Sequence, residues 1–190
     1  MSQQLSAIRQ LLTEKADQSN LDFFGRMVPG QQKMYGIKTP ELNAIAKSYQ
    51  SYSFKLAEEL WASGALEEKI IAIKIMEKEG KKDPARLLLL FKKLAGSIDN
   101  WAVCDGLGTQ FLRSIVKTHA KEIFLLASKY NKSKDPWQRR LSLVMVEWFT
   151  RIPEYHAAIR QLMAPLEKDP EYYVKKAVQW IRRNLAKKIH

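Results

Sequence analysis

DPWQRRLSLVMVEWFTR (residues 135–151) opens with an Asp-Pro pair and then runs apolar almost without interruption. Asp135 can cap the first amides of a helix, and Pro136 fits the first helical position, where its missing N–H costs little. Leu141, Leu143, Val144, Met145, Val146, Trp148 and Phe149 surround the axis, so a helix over 136–152 is apolar nearly all round and belongs at the centre of the fold. The same kind of start recurs at Thr39-Pro40-Glu41, Asp83-Pro84 and Asp169-Pro170.

Working outward, apolar residues keep helical spacing almost everywhere and no stretch alternates as a strand does, so the chain reads as all-α. The pattern predicts helices over 3–16, 20–28, 40–50, 54–63, 66–80, 84–95, 100–117, 120–131, 136–152, 154–167 and 171–188. Residues 29–38, with Gly30 and Gly36, form the one long non-helical stretch. The expected helices starting at 66, 100, 136 and 171 are spaced by 34, 36 and 35 residues, the period of an α-solenoid of paired helices. Armadillo, TPR and HEAT-like stacking all fit this spacing, and an irregular bundle is the alternative.

The chain has 190 residues, 46% of them hydrophobic and 27% charged, which is ordinary globular usage and fits a single domain over 1–190. No apolar run approaches the roughly 18 residues of a membrane span. The start of the chain lacks a basic segment before an apolar one, so secretion is not expected. The single cysteine, Cys104, cannot form an internal disulfide and suits a reducing cytoplasm. The net charge of +12 is uneven: residues 1–99 hold 15 basic and 12 acidic side chains, and residues 100–190 hold 17 and 8. Such a basic half attracts polyanions, nucleic acid foremost, although a well-solvated basic protein carries the same count.

Three predicted helices carry the chemistry. On the last one, Val174, Ala177, Val178, Ile181 and Leu185 form the core stripe. Trp180 lies roughly 120° away, sharing the outer face with Tyr173, Lys176, Arg183 and Lys187. That pattern suits a ring presented to a base or sugar between phosphate-binding cations, or a Trp packed on a neighbouring helix. On the helix from 136, the polar line is Arg140, Glu147 and Arg151. Arg140, near the first turn, is placed either to clamp a phosphate or to pair with Glu147. On the helix from 100, Trp101 and Asp105 stand at i and i+4 on one face. An acid there means an internal salt bridge, with Arg140 as a candidate partner, or an anion that favours a cationic transition state. Gly106 and Gly108 weaken this helix but permit close approach by another backbone.

Other chemistries find little support. His119, His156 and His190 have no ligand spacing with Cys104, so no metal is expected. Cys104 points into the apolar side of its helix and reads as core. There is no phosphate-binding glycine loop, dinucleotide fingerprint or nucleophile elbow, and no cofactor is expected.

Four stretches together are similar to the DNA alkylation repair family of HEAT-like-repeat DNA glycosylases, the AlkD-like proteins: Tyr35 to Pro40, Asp99 to Asp105, Trp137 to Arg140, and Lys176 to Arg183. The resemblance implies an α-solenoid of HEAT-like repeats with a concave basic groove lined by Trp101, Asp105, Arg140 and Trp180. It implies a metal-free, monomeric, cytoplasmic enzyme that releases positively charged alkylpurines, of the 3-methyladenine and 7-methylguanine type, from duplex DNA. In that role Asp105 stabilises the oxocarbenium-like sugar and positions water, Trp101 and Trp180 pack on the deoxyribose and backbone, and Arg140 holds a phosphate. The chain ends at His190, soon after the last matching helix, which implies a shortened groove at that end. Two other readings are a non-catalytic binder of unusual DNA and a solenoid scaffold for acidic peptides.

Overall fold

A computed structural model describes residues 2–28, 30, 33–49 and 54–187. Among these, every regular element is helical. The contacts divide into two compact units, Met1–Leu94 and Ala95–His190. The first unit holds α1 (Gln3–Glu14), α2 (Gln18–Met27), α3 (Thr39–Ser48), α4 (Phe54–Ala62), α5 (Leu66–Glu79) and α6 (Pro84–Leu94). The second holds α7 (Trp101–Gly106), α8 (Ala120–Asn131), α9 (Pro136–Val144), α10 (His156–Met163) and α11 (Tyr172–Leu185). The alternate helices α5, α7, α9 and α11 begin at residues 66, 101, 136 and 172, so the expected period is present. Within each unit helices pack on their chain neighbours, as an α-solenoid requires.

In the first unit α5 packs on α3 and α4. Its Ile71, Ile73, Ile75 and Met76 are all buried, so the helix is enclosed on most sides. Glu67 and Glu68 are buried with it. Glu67 Oε1 accepts the backbone amides of Gly36 and Ile37 at 2.8 and 3.2 Å, and Glu68 takes the Tyr35 hydroxyl at 3.0 Å and the Arg9 guanidinium. Gly36 sits at φ +78°, and a Cβ there would meet the Asp17 carbonyl oxygen at 2.3 Å, so only glycine fits. The Tyr35-Gly36-Ile37 segment is thus anchored to α5 by carboxylates. Its neighbours Pro29, Gln31 and Gln32 lie outside the described residues, as do the expected helix ends at Gln50 and Lys188.

In the second unit α9 is the centre, packed by α7, α8 and α11. Leu141, Leu143, Val144, Met145, Val146 and Phe149 are buried, as the apolar run requires. Asp135 caps α9 by accepting the Trp137 amide at 2.9 Å, and Asp83 caps the Pro84 helix by accepting the Arg86 amide at 3.0 Å. Two of the Pro starts differ from expectation. Thr39 lies inside α3, whose first turn has no side-chain cap, and Asp169 takes the Glu171 amide ahead of a helix that begins at Tyr172.

Three predicted helices are broken. The helix expected over 100–117 is α-helical only to Gly106, widens into a π-helical turn over Leu107–Phe111, and then passes into turns. The ladder is weakest here, where the Thr109 hydroxyl bonds the Asp105 carbonyl at 2.7 Å beside Gly106 and Gly108, and α9 comes close at this point. A Cβ on Gly108 would stand 2.7 Å from Val144 Cγ1 and 3.0 Å from the Met145 nitrogen, so the glycine does allow the close approach. The helix expected over 136–152 ends at Val144, at that crossing, and tightens to a 310 segment over Glu147–Arg151. The one expected over 154–167 has 310 turns at both ends, at Pro153 and around Pro165, because proline cannot sustain the α ladder there.

Among the described residues no helix is long and apolar enough to cross a membrane.

Candidate active site

The site lies in the second unit, where three helices bring their first turns together. Asn100, buried, caps α7 by accepting the Val103 amide at 3.0 Å, which sets Trp101 and Asp105 one turn apart on the same face. The Asp135 cap and Pro136 set the register of α9, so Trp137 and Arg140 project at i and i+3 from its first two turns. Tyr173 lies at the start of α11.

Arg140 ties the three together. Its Nε donates to Asp105 Oδ1 at 2.9 Å and its Nη2 to Oδ2 at 2.8 Å, a bidentate fork. Its Nη1 donates to the backbone carbonyl of Tyr173 at 2.6 Å. Arg140 is only 5% exposed, whereas the Asp105 side chain keeps 24% of its surface open. Burial pushes the Asp105 carboxyl above the usual range, and the Arg140 hydrogen bonds and charge oppose that rise. Of the two partners the sequence left open for Arg140, the structure selects Asp105. Glu147 instead takes Arg151 at 3.1 and 3.2 Å and the Asn184 amide at 2.8 Å. The break after Val144 separates it from the Arg140 side of the helix. The fork expected to clamp a phosphate faces a carboxylate and a carbonyl.

Aromatic side chains meet at Tyr173, the residue whose carbonyl Arg140 binds. The Trp137 ring stacks on Tyr173 at 5.1 Å, and the Tyr172 ring meets Tyr173 edge-on at 5.1 Å. Trp101 is half-buried, one turn before Asp105. Trp180 is also half-buried and lies seven residues after Tyr173, hence on the same face of α11 about 10 Å along the axis. The core stripe of α11 is as expected at Val174, Ala177, Val178 and Ile181, which are buried, while Leu185, at the end of the helix, is half-buried. Lys176, Arg183 and Lys187 are exposed, and the Lys176 ammonium lies 5.3 Å from the Tyr172 ring centre.

Two contributors escaped the sequence reading. One is the Tyr173 main chain, since a carbonyl ligand for Arg140 leaves no mark on residue type. The other is Trp137, recognisable beforehand only as part of a motif. A separate staple, Arg139, forks onto Asp169 and takes the Ser133 and Lys134 carbonyls, which fastens the α9 cap to the turn before α11. Cys104 is wholly buried, its thiol pushed far up by burial, and its Sγ lies 3.7 Å from the Trp137 carbonyl; it is a core residue. Among the described residues no group of three His, Cys, Asp or Glu side chains could hold a metal ion.

A comparison with curated proteins gave no match. A family model described as DNA alkylation repair enzyme matches residues 8–190, nearly the whole chain, and the protein belongs to that family.

Proposed function

We propose that the protein is a monomeric, cytoplasmic DNA glycosylase that hydrolyses the bond between deoxyribose and a positively charged N-alkylated purine in duplex DNA. The observation that carries this reading is a carboxylate fixed by a bidentate arginine yet still partly open, in a basic half of the chain. Family membership supports DNA as the substrate and repair as the setting.

The chemistry follows from charge. An N3- or N7-alkylated purine is already cationic, so when its glycosidic bond breaks, the electron pair stays on the base and neutralises it without a general acid. The sugar left behind carries oxocarbenium character at C1′, and an anion close by lowers the energy of that cation. Arg140 occupies one side of each Asp105 oxygen, and a carboxylate oxygen has a second lone pair. That second side accepts a proton from water as the water oxygen bonds to C1′, leaving an abasic site. Trp101 and Trp180 present electron-rich faces to the deoxyribose and its cationic form. Arg140 serves the carboxylate, and the phosphates fall to Lys176, Arg183, Lys187 and the Tyr173 edge of α11.

Release of 3-methyladenine and 7-methylguanine from methylated duplex DNA tests the reading. Wild-type protein releases base, and Asp105→Asn lowers the rate by at least about 100-fold while leaving duplex affinity unchanged. Equal release by wild type and Asp105→Asn would remove the carboxylate from the mechanism. Duplex binding without any release would favour the non-catalytic binder, and the closed Asp105–Arg140 pair would then be purely structural.

A further inference from the structure

Two side-chain contacts from α9 meet the start of α11 at one residue, Tyr173. Arg140 reaches the Tyr173 carbonyl at 2.6 Å, and Trp137 lies against the Tyr173 ring with centroids 5.1 Å apart and planes 29° apart. Trp137 and Arg140 are three residues apart on α9, so they leave the same face of the helix. The first turn of α11 is also held by Val174, which is wholly buried, and by the Arg139–Asp169 staple on the turn before it. Its cap residue, Glu171, makes no side-chain hydrogen bond to it, and Tyr172 is exposed. Among these supports the Trp137 stack acts on the same residue whose carbonyl Arg140 meets, so it bears most directly on the position of that carbonyl.

Trp137 is itself fixed from two sides. Its amide is held by Asp135, and its carbonyl lies 3.7 Å from Cys104 Sγ, the residue before Asp105. A connected path thus runs from the indole to the Tyr173 ring, through its carbonyl to the Arg140 fork, and from the fork to both oxygens of Asp105. Arg140 is nearly buried, and a guanidinium deprived of its carbonyl acceptor keeps one donor unsatisfied, which loosens the plane in which it holds the carboxylate.

We infer that Trp137 is a positioning residue for Asp105: its stack on Tyr173 sets the carbonyl that fixes the Arg140 fork, and the fork fixes the orientation of the carboxylate. The inference rests on the glycosylase reading for its consequence in catalysis, although the mechanical link stands without it. A misplaced carboxylate loses rate while substrate binding survives, because exposed cations on α11 hold the DNA.

The link has a readout whose sign separates it from simple loss of packing: admitting water relieves the burial that raises the Asp105 carboxyl and so lowers its midpoint, whereas a loosened fork raises it. The elements packed on α7 are α9 and the turn over Leu107–Phe111. The turn has no titratable side chain, so from those elements the charge facing Asp105 is Arg140; on its own helix the neighbour is the Cys104 thiol, neutral because it is buried. If Trp137 holds the fork in place, removing the ring weakens the fork's hold on the anion, and the Asp105 carboxyl titrates at higher pH.

The experiment follows the carboxyl carbon of Asp105 by NMR across a pH titration of the full chain, its signal assigned by its loss in Asp105→Asn. It compares wild type, Trp137→Phe, Trp137→Leu, Trp137→Ala and Arg140→Met. Alongside, single-turnover release from a 7-methylguanine duplex is measured at saturating protein. The midpoint is expected to rise in Trp137→Leu and Trp137→Ala towards that of Arg140→Met, and to stay near wild type in Trp137→Phe, which keeps a stacking ring. Release falls roughly tenfold or more in the Leu and Ala variants, with duplex affinity unchanged and with recovery in the Phe variant. Should Trp137→Ala fail to fold, Trp137→Leu decides. An unmoved or lowered midpoint in a folded Leu or Ala variant overturns the inference whatever the rates do. A raised midpoint in a protein whose wild type releases no base leaves the positioning role standing and rejects the glycosylase reading.

Discussion

Removing Asp105 strands a guanidinium that is 5% exposed, whereas removing Arg140 strands a carboxyl that is partly open and can take up a proton. The two substitutions therefore differ in cost. Asp105→Leu is expected to destabilise the fold by about 3 kcal/mol, and Arg140→Met by roughly half as much, because the orphaned acid can neutralise itself. The double variant costs less than the sum, since neither charge is left alone. Urea unfolding of the three proteins measures this, and equal, additive costs would show that the pair is not coupled. Acidity separates Asp105 from Asp169 as well. Burial raises the Asp105 carboxyl, so its folded value lies above its unfolded one, and the folded state takes up this proton first as pH falls. Asp105 thus adds stability on acidification, in the window just above the ordinary carboxylate range. Asp169 runs the other way. Burial pushes it up, but the Arg139 hydrogen bond and the Glu171 amide outweigh that and lower it, so its contribution is present above its unfolded value and is lost as pH falls through the folded one. Asp169→Asn should accordingly flatten the loss of stability below pH of about 4, and Asp105→Asn should not.

At the scale of elements, the break in the helix from Trp101 is a packing device. Gly108 lets the π-helical turn close on the Val144–Met145 end of α9, with no room for a methyl group between them. Gly108→Ala is expected to cost about 1–3 kcal/mol from overpacking, and Val144→Ala in the same chain should recover part of it by removing the Cγ1 in the way. Thermal unfolding of the single and double variants checks this; a neutral Gly108→Ala would mean the two elements can part freely. The break also marks where sequence reading stopped. Helix identity, caps at Asp83 and Asp135, the spacing of alternate helices and the core stripe of α11 all follow from local rules: a proline at the first turn, apolar periodicity, a short acceptor before it. The π-turn and the 310 ends depend on how near another helix comes, which Gly106, Gly108 and Val144 hint at and do not determine. The same division holds in the site. Asp105 and Trp180 stood out as candidates because a carboxylate in a basic half of the chain, or an indole away from its helix's core stripe, is out of place, and Trp101 because it shares a face with Asp105. The partner of Arg140 did not, since Asp105 lies 35 residues away and Glu147 only seven along the same predicted helix. The broken helix decided between them.

On the scale of the whole chain, charge is the property that reaches furthest. The unit Ala95–His190 holds 17 basic and 9 acidic side chains, against 15 and 11 in Met1–Leu94, so net values of +8 and +4. In the first unit Arg9 pairs with Glu68, Lys15 with Glu41, Lys82 with Glu79 and Lys93 with Glu58. On α11, Arg182 pairs with Glu167, while Lys176 and Arg183 stand exposed on the helix that carries Trp180, and Lys187 stands exposed just past its end at Leu185. A polyanion releases counterions for each phosphate neutralised, which makes affinity fall with salt at a slope of about 0.9 per contact on duplex DNA. Lys176→Ala and Arg183→Ala should therefore each lower duplex affinity and reduce that slope by close to one contact, and Lys187→Ala should add to them. Lys15→Ala and Lys93→Ala, whose ammonium groups already face carboxylates, should leave the slope within error of wild type. Fluorescence anisotropy of a labelled duplex across a salt series distinguishes the two sets. If the α11 variants leave the slope unchanged and the paired lysines alter it, the phosphate surface lies elsewhere. Trp180 would then lose the flanking cations that give its indole a role on DNA.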